Sequence, residues 1–218
     1  MKYYFLKHNN ESRLLLFFAG WGMDYHVFPE LGEFNGDVCI CYDYAEMNFN
    51  ESLFVEYNHI KLVSWSMGVW VASFLLQHKR LKFEKKIAIN GTLYPIDYNK
   101  GLVPEIYDAT LHFLTEKSLL KFYRRMCNGK DLLALFMEHK PQRNLDSVKR
   151  ELMIIGKIAL SSPTPIFNWD EIFIGDKDLI FTTANQKNAW NGQACCNVIP
   201  ASHYINFNFI LRDEEEYK

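Results

Sequence analysis

One short stretch, residues 61–70, constrains the fold of this chain more than any other. An apolar run leads into the pattern Ser64-x-Ser66-x-Gly68, and helix-forming apolar residues follow directly. A serine at a sharp turn from a buried strand into a helix has a strained backbone, and large neighbours would collide across the turn. The pattern therefore predicts a nucleophile elbow with Ser66 at its apex, in which Ser64 stands where glycine is usual.

The rest of the chain alternates strand-like and helix-like segments. Strands are predicted at 3–6, 13–18, 37–42, 60–63, 86–89, 171–174 and 197–199, and helices or turns at 25–31, 53–59, 67–77 and 204–211. This alternation is typical of βαβ units, and with the elbow it predicts an α/β-hydrolase fold with a mostly parallel central sheet flanked by helices.

Residues 97–165 interrupt this alternation. Amphipathic helical stretches are predicted there at 105–114, 117–126, 132–139 and 145–160, with no convincing strand between them. We therefore expect a hydrolase core made of residues 1–96 and 166–218. The helical stretches would form a cap inserted after the strand that follows the nucleophile helix.

Composition narrows the class of protein. A hydrophobic content of 49% is typical of a globular chain, and a net charge of −2 argues against nucleic-acid binding. The apolar runs are too short to span a bilayer, and the first residues lack the features of a signal peptide. The five cysteines have neither disulfide-framework nor metal-ligand spacing. We expect a cytoplasmic monomer that needs no metal or cofactor, with a solvated acidic end at 213–216.

A serine nucleophile needs a base, and the base needs an orienting acid. In this fold the order along the chain is serine, acid and histidine. Asp178 follows a late apolar strand and a glycine, which makes it the predicted acid, with Asp176 as the alternative. His203 lies between the last predicted strand and the final helical segment, so we expect it to be the base for Ser66.

Two main-chain N–H groups should form the oxyanion hole. One donor is expected at Met67, directly after the nucleophile, and the other at Trp21 in the glycine turn 20–22. Cap aromatics such as Phe113 and Phe122 could close over an acyl chain in the pocket, although core packing is the more usual role of such residues.

Three segments carry a more specific signal: FFAGWGMD at 17–24, SWSMGVW at 64–70 and INGTLYPID at 89–97. Together they resemble the BioG family, the pimeloyl-[acyl-carrier protein] methyl ester carboxylesterases of biotin synthesis. The resemblance implies that the chain removes the methyl group masking the distal carboxylate of a carrier-bound pimeloyl chain. The triad and oxyanion roles of the family carry over to Ser66, Asp178, His203, Trp21 and Met67.

The charge distribution fits an acyl carrier protein, which is acidic, as the partner. Residues 117–150 include nine basic and three acidic side chains, a net charge of +6, which leaves −8 for the remainder. A polarised surface of this kind can steer an acidic partner. Lys121, Arg124 and Arg125 are the predicted docking residues.

Two other functions stay open from the residues alone. A general esterase or an acyl-carrier thioesterase would use the same triad, because both reactions pass through an acyl-enzyme. A catalytically silent binding protein of the same fold is the third possibility.

Overall fold

The computed structural model describes residues 1–193 and 196–211, apart from the side chain of residue 210. The predicted acidic end at 213–216 therefore lies outside the described residues.

A seven-stranded sheet runs through the described part of the chain. Its strands are β1 (Lys2–Lys7), β2 (Arg13–Phe18), β3 (Asp37–Tyr42), β4 (His59–Trp65), β5 (Lys85–Ile89), β6 (Glu171–Gly175) and β7 (Cys196–Ile199). Their spatial order is β1-β3-β2-β4-β5-β6-β7. Only β1, among these strands, pairs antiparallel, and all other neighbours are parallel. The predicted mostly parallel sheet is confirmed.

Six α-helices accompany the sheet within the described residues. They are α1 (Met67–Leu76), α2 (Pro104–His112), α3 (Glu116–Cys127), α4 (Lys130–Glu138), α5 (Leu145–Ser161) and α6 (Thr183–Ala189). Helices α2 to α5 lie between β5 and β6 in the chain, where the sequence predicts a helical insertion. None of the described helices combines the length and the apolar character needed to cross a bilayer.

Burial explains why the central strands are apolar without alternation. Residues 14–18 of β2 are fully buried, because a parallel sheet is covered on both faces. Helix α1 packs against β2 and β4 and is buried over most of its length. By contrast, α3 is amphipathic: Thr115 forms a capping box at its start, and Leu119, Tyr123 and Met126 face inward.

Two helix predictions are wrong, and one helix was missed. At 53–59 the structure has only the 3-10 turn Glu51–Leu53, because the following main chain is drawn to Ser12, whose carbonyl accepts from residues 58 and 59. At 204–211 there is only the 3-10 turn Phe207–Ile210. Helix α6 follows the segment of the predicted acid, and its residues form no clear apolar stripe. The segment 25–31 forms two short 3-10 turns.

Candidate active site

The nucleophile elbow is formed at the junction of β4 and α1. Ser66 has φ 60° and ψ −130°, a backbone conformation that L-residues rarely adopt. A Cβ at Gly68 would lie 2.5 Å from the carbonyl oxygens of Phe18 and Ala19, and a Cβ at Gly91 would collide with the Ser66 carbonyl. The close packing of three chain segments thus requires glycine beside the strained serine.

Serine at position 64 fits the elbow but gains nothing from its hydroxyl. Ser64 is fully buried, and its Oγ has no hydrogen-bond partner among the described residues. A small side chain is therefore what this position requires, and the departure from glycine leaves the turn intact.

The structure brings three predicted site residues together. Ser66 Oγ lies 2.8 Å from His203 Nε2, and His203 Nδ1 lies 2.8 Å from Asp178 Oδ2. All three residues are at most 5% exposed. They follow β4, β6 and β7, so they meet where the carboxyl ends of parallel strands lie side by side. Asp176, the alternative acid, is exposed, and the imidazole Nδ1 is bonded to Asp178 instead.

Asp178 is surrounded by N–H donors only. Its Oδ1 accepts from the main-chain N–H groups of Ile180 (2.7 Å) and Phe181 (3.0 Å). Its Oδ2 accepts from the Gln186 amide (2.9 Å) as well as from His203. Because Oδ2 is an acceptor, it favours the His203 tautomer with its proton on Nδ1. Nε2 is then free to accept the Ser66 proton.

Hydrogen bonds to the main-chain carbonyl of His203 hold its loop in place. The His203 carbonyl oxygen accepts from Asn90 Nδ2 (2.9 Å) and from the Trp65 indole N–H (2.8 Å). The Asn90 Oδ1 accepts in turn from the Gly175 N–H (2.7 Å), so one amide side chain ties the loop to the end of β6. The Phe181 ring lies parallel to the imidazole, with 6.0 Å between ring centroids.

The two predicted oxyanion donors flank the nucleophile. Met67 is the first residue of α1, where a main-chain N–H has no acceptor within the helix. Trp21 lies in the turn after β2, and this turn touches the serine, since a Cβ at Gly20 would lie 3.1 Å from Ser66 Cβ. Among the described residues, neither main-chain N–H donates to another group. Both are available to a bound oxygen.

A cavity opens above Ser66. Its walls come from the elbow, from the Trp21 turn and from helices α2, α3 and α5, and they are largely apolar. Phe122 lines it, whereas Phe113, directly after the end of α2, does not and is 75% exposed. Burial raises the pKa of Tyr107, another wall residue, to about 12, so its hydroxyl stays a neutral donor to the Leu152 carbonyl.

The predicted docking residues are all exposed on α3. Arg125 also lines the cavity and donates to the Leu179 carbonyl at 2.9 Å. Arg143, one of the nine basic residues counted from the sequence, is buried and paired with Glu151. It therefore adds nothing to the surface that could attract an acidic partner.

The sequence did not predict three polar residues that lie beside the site. Asn90 lies within a segment that carried the family resemblance, but nothing in the pattern indicated its hydrogen bonds. Gln186 belongs to the helix that was missed, and Glu151 reads as a surface acid in a charged stretch of α5. No group of three or more His, Cys, Asp or Glu side chains in the described part of the chain is placed to hold a metal ion.

Comparison with known proteins gives the family. Residues 1–213 match the family model described as pimeloyl-ACP methyl esterase BioG. The chain is 44% identical, over 87% of its length, to a malonyl-[acyl-carrier protein] O-methyltransferase of Bacteroides fragilis, and it spans about two-fifths (39%) of that relative.

Solved structures agree with the family model. The crystal structure of BioG from Haemophilus influenzae superposes with a TM-score of 0.82 and 36% identity over 94% of each chain. An enol-lactonase from Burkholderia xenovorans, 13% identical, shares the fold with a TM-score of 0.66 over 96% of this chain and 91% of its own. With its elbow, its sheet order and a family match over nearly its whole length, this chain belongs to the BioG family of α/β-hydrolase enzymes.

Proposed function

We propose that this chain is a serine carboxylesterase that hydrolyses the methyl ester of pimeloyl-[acyl-carrier protein], releasing methanol in biotin synthesis. The observation that carries the proposal is the continuous hydrogen-bonded series from Asp178 through His203 to Ser66 at the floor of an apolar cavity. The family to which the chain belongs supports the choice of substrate.

Acylation uses each member of the series in turn. Ser66 Oγ attacks the carbonyl carbon of the distal ester while His203 Nε2 takes the hydroxyl proton. The carbonyl oxygen becomes an oxyanion and accepts hydrogen bonds from the N–H groups of Trp21 and Met67. When the tetrahedral intermediate collapses, His203 returns the proton to the methoxy oxygen and methanol leaves. Asp178 stays ionised and stabilises the imidazolium.

Deacylation repeats the sequence with water as the nucleophile. His203 takes a proton from the water, the resulting oxygen attacks the acyl-enzyme carbonyl, and Ser66 leaves with the proton returned by the imidazole. The product is a free distal carboxylate, and the thioester to the carrier is left unbroken. No cofactor or metal enters any of these steps.

The choice of the ester over the thioester rests on which end of the substrate can reach Ser66. A mostly apolar chain can thread into the cavity from its mouth and place its distal ester at the nucleophile. The carrier protein, which is too large to enter, would stay outside with the thioester near the rim. Residues 97–165 would then act as a lid over the bound chain.

Carrier docking would occur on the outer face of α3. Lys121 and Arg124 are exposed there, one helical turn apart, and Arg125 lies at the cavity itself. An acidic carrier is attracted to such a surface, mainly through a faster association. We further propose that the chain works as a monomer in the cytoplasm, where the free thiols of Cys39, Cys41 and other described cysteines would stay reduced.

Mass analysis of the carrier tests the proposal directly. The protein is incubated with pimeloyl-carrier methyl ester, and the mass of the intact carrier protein is measured before and after the incubation. Hydrolysis of the ester lowers the mass by one CH₂ unit and keeps the acyl chain attached. A carrier that loses the whole acyl group would identify a thioesterase, and an unchanged carrier together with no turnover of small esters would identify a silent binding protein.

A further inference from the structure

Glu151, on α5, is a fully buried carboxylate that the proposed mechanism does not use. Its Oε2 accepts from the main-chain N–H of Gly22 (2.9 Å), and its Oε1 accepts from that of Tyr44 (2.9 Å). The Arg143 guanidinium donates to it at 2.6 Å. Burial raises the pKa of Glu151, and the Arg143 charge opposes that rise. A buried charge is retained at such a place only with partners on all sides.

The residue that Glu151 holds follows directly after a predicted oxyanion donor. Because a peptide unit is planar, fixing the Gly22 N–H also fixes the Trp21 carbonyl in the same plane. The Trp21 N–H lies one residue back, so its direction depends on the same anchor. Gly22 has φ +76°, a backbone conformation that is accessible mainly to glycine.

Further contacts tie this turn to the segment 142–151. The Trp21 indole N–H donates to the Val148 carbonyl at 2.8 Å. The main-chain N–H of Gln142 donates to Asp24 Oδ2 at 2.7 Å. Residues in and near α5 thus hold the turn after β2 at Trp21 and at Asp24. Between these two contacts, the Glu151 carboxylate accepts from the Gly22 N–H.

We propose that Glu151 is a positioning residue of the oxyanion hole. It holds the Gly22 N–H and thereby aims the Trp21 N–H at the oxygen that develops charge during attack by Ser66. Arg143 keeps the carboxylate in place by donating to the same Oε2, and it also donates to the Met23 carbonyl in the turn at 3.3 Å. This proposal rests on the serine chemistry proposed above, but it does not depend on which ester is the substrate.

Two variants remove the anchor in different ways. Glu151→Gln keeps the shape but turns an NH₂ toward one of the two main-chain donors. The double variant Glu151→Leu with Arg143→Met removes both buried charges together, which is often neutral for stability, and also removes the acceptor. Asp43→Asn is the matched control: it removes the other carboxylate paired with Arg143 (2.9 Å) and leaves the acceptor for Gly22 unchanged.

The assay uses a small ester such as p-nitrophenyl butyrate, with active sites counted from the endpoint of fluorophosphonate labelling. Loss of a whole oxyanion donor costs about 10²–10³ in kcat, so a misdirected donor should cost about 10- to 100-fold per counted site. KM should change by less than about threefold, because the donor acts mainly in the transition state. Affinity for a trifluoromethyl ketone, which forms a tetrahedral adduct with Ser66, should fall with kcat/KM.

A purely structural role for Glu151 would instead lower the number of labelled sites while leaving kcat per site unchanged. That result in the double variant, which leaves no acceptor at position 151, would overturn the proposal, and so would an equal loss of kcat in Asp43→Asn. If the parent protein hydrolyses the small ester but leaves pimeloyl-carrier methyl ester intact, the proposed substrate is wrong, and the comparison of the Glu151 variants still holds.

Discussion

Replacing Asp178 with asparagine tests the acid of the proposed triad with little change of shape. The wild-type carboxylate meets only N–H donors: His203 and Gln186 at Oδ2, and the main-chain N–H groups of Ile180 and Phe181 at Oδ1. An asparagine must turn its own NH₂ toward one of these two pairs. If it faces His203, the imidazole is driven to carry its proton on Nε2, where it can no longer accept from Ser66.

The expected loss is large. In serine hydrolases the corresponding change lowers kcat about 10⁴-fold, because the wrong tautomer predominates, and that equals about 5.4 kcal/mol of transition-state stabilisation. The conformational stability should fall much less, by about 1–3 kcal/mol, which is the cost of leaving a buried donor without an acceptor. The variant should therefore stay folded, with only a small residual rate.

The measurement is kcat for the small ester and for the carrier-bound methyl ester, with the unfolding midpoint as a check of the fold. Asp176→Asn is the matched control, since that carboxylate is exposed and lies only two residues away. We expect it to leave kcat within about twofold of the parent. A folded Asp178→Asn variant with nearly full activity, or an equal loss in Asp176→Asn, would refute the assignment of the acid.

Three further predictions follow from local environments. Burial raises the pKa of Cys127 to about 12, so its alkylation in the native protein at pH 8 should be about 10³-fold slower than that of an ordinary thiol. The alkylation rate should still increase with pH above pH 10, and rapid labelling of the native protein at pH 8 would contradict the prediction. Gly68→Ala should lower the free energy of unfolding in urea by about 3 kcal/mol, since its Cβ would meet two carbonyl oxygens at 2.5 Å, and a change below about 1 kcal/mol would show that the elbow tolerates a side chain. Reversing Lys121 and Arg124 to glutamate should lower kcat/KM for the carrier-bound ester at least about tenfold while sparing the small ester; reversal of the basic pair at 79–80, beyond the end of α1, is the control, and equal effects on both esters would rule out docking on α3.

Local rules account for the parts of the site that the sequence predicted. The elbow can be predicted from the sequence because a strained Ser66 needs small neighbours and a helix directly after it, and these requirements appear as a pattern of adjacent residues. Asp178 and His203 are readable because the fold places them after particular strands. In each case a short segment is enough to identify the residue, because the order of the strands determines where that segment lies in the fold.

The parts that were missed depend on contacts between distant segments. Glu151 is 107 residues from Tyr44 and 129 from Gly22, so nothing near it in the chain shows that it is buried. The segment 53–59 was predicted to be helical, but the main-chain N–H groups of Asn58 and His59 donate to the Ser12 carbonyl, just before β2. Tertiary contacts override local propensity at such positions.

Labelling with a fluorophosphonate probe, followed by mass analysis of the digested protein, identifies the nucleophile. We expect one modified peptide with the probe on Ser66, no labelling in Ser66→Ala, and labelling at least about 10²-fold slower in His203→Ala. Labelling that persists undiminished in Ser66→Ala, or a probe found on another residue of the folded protein, would contradict this expectation.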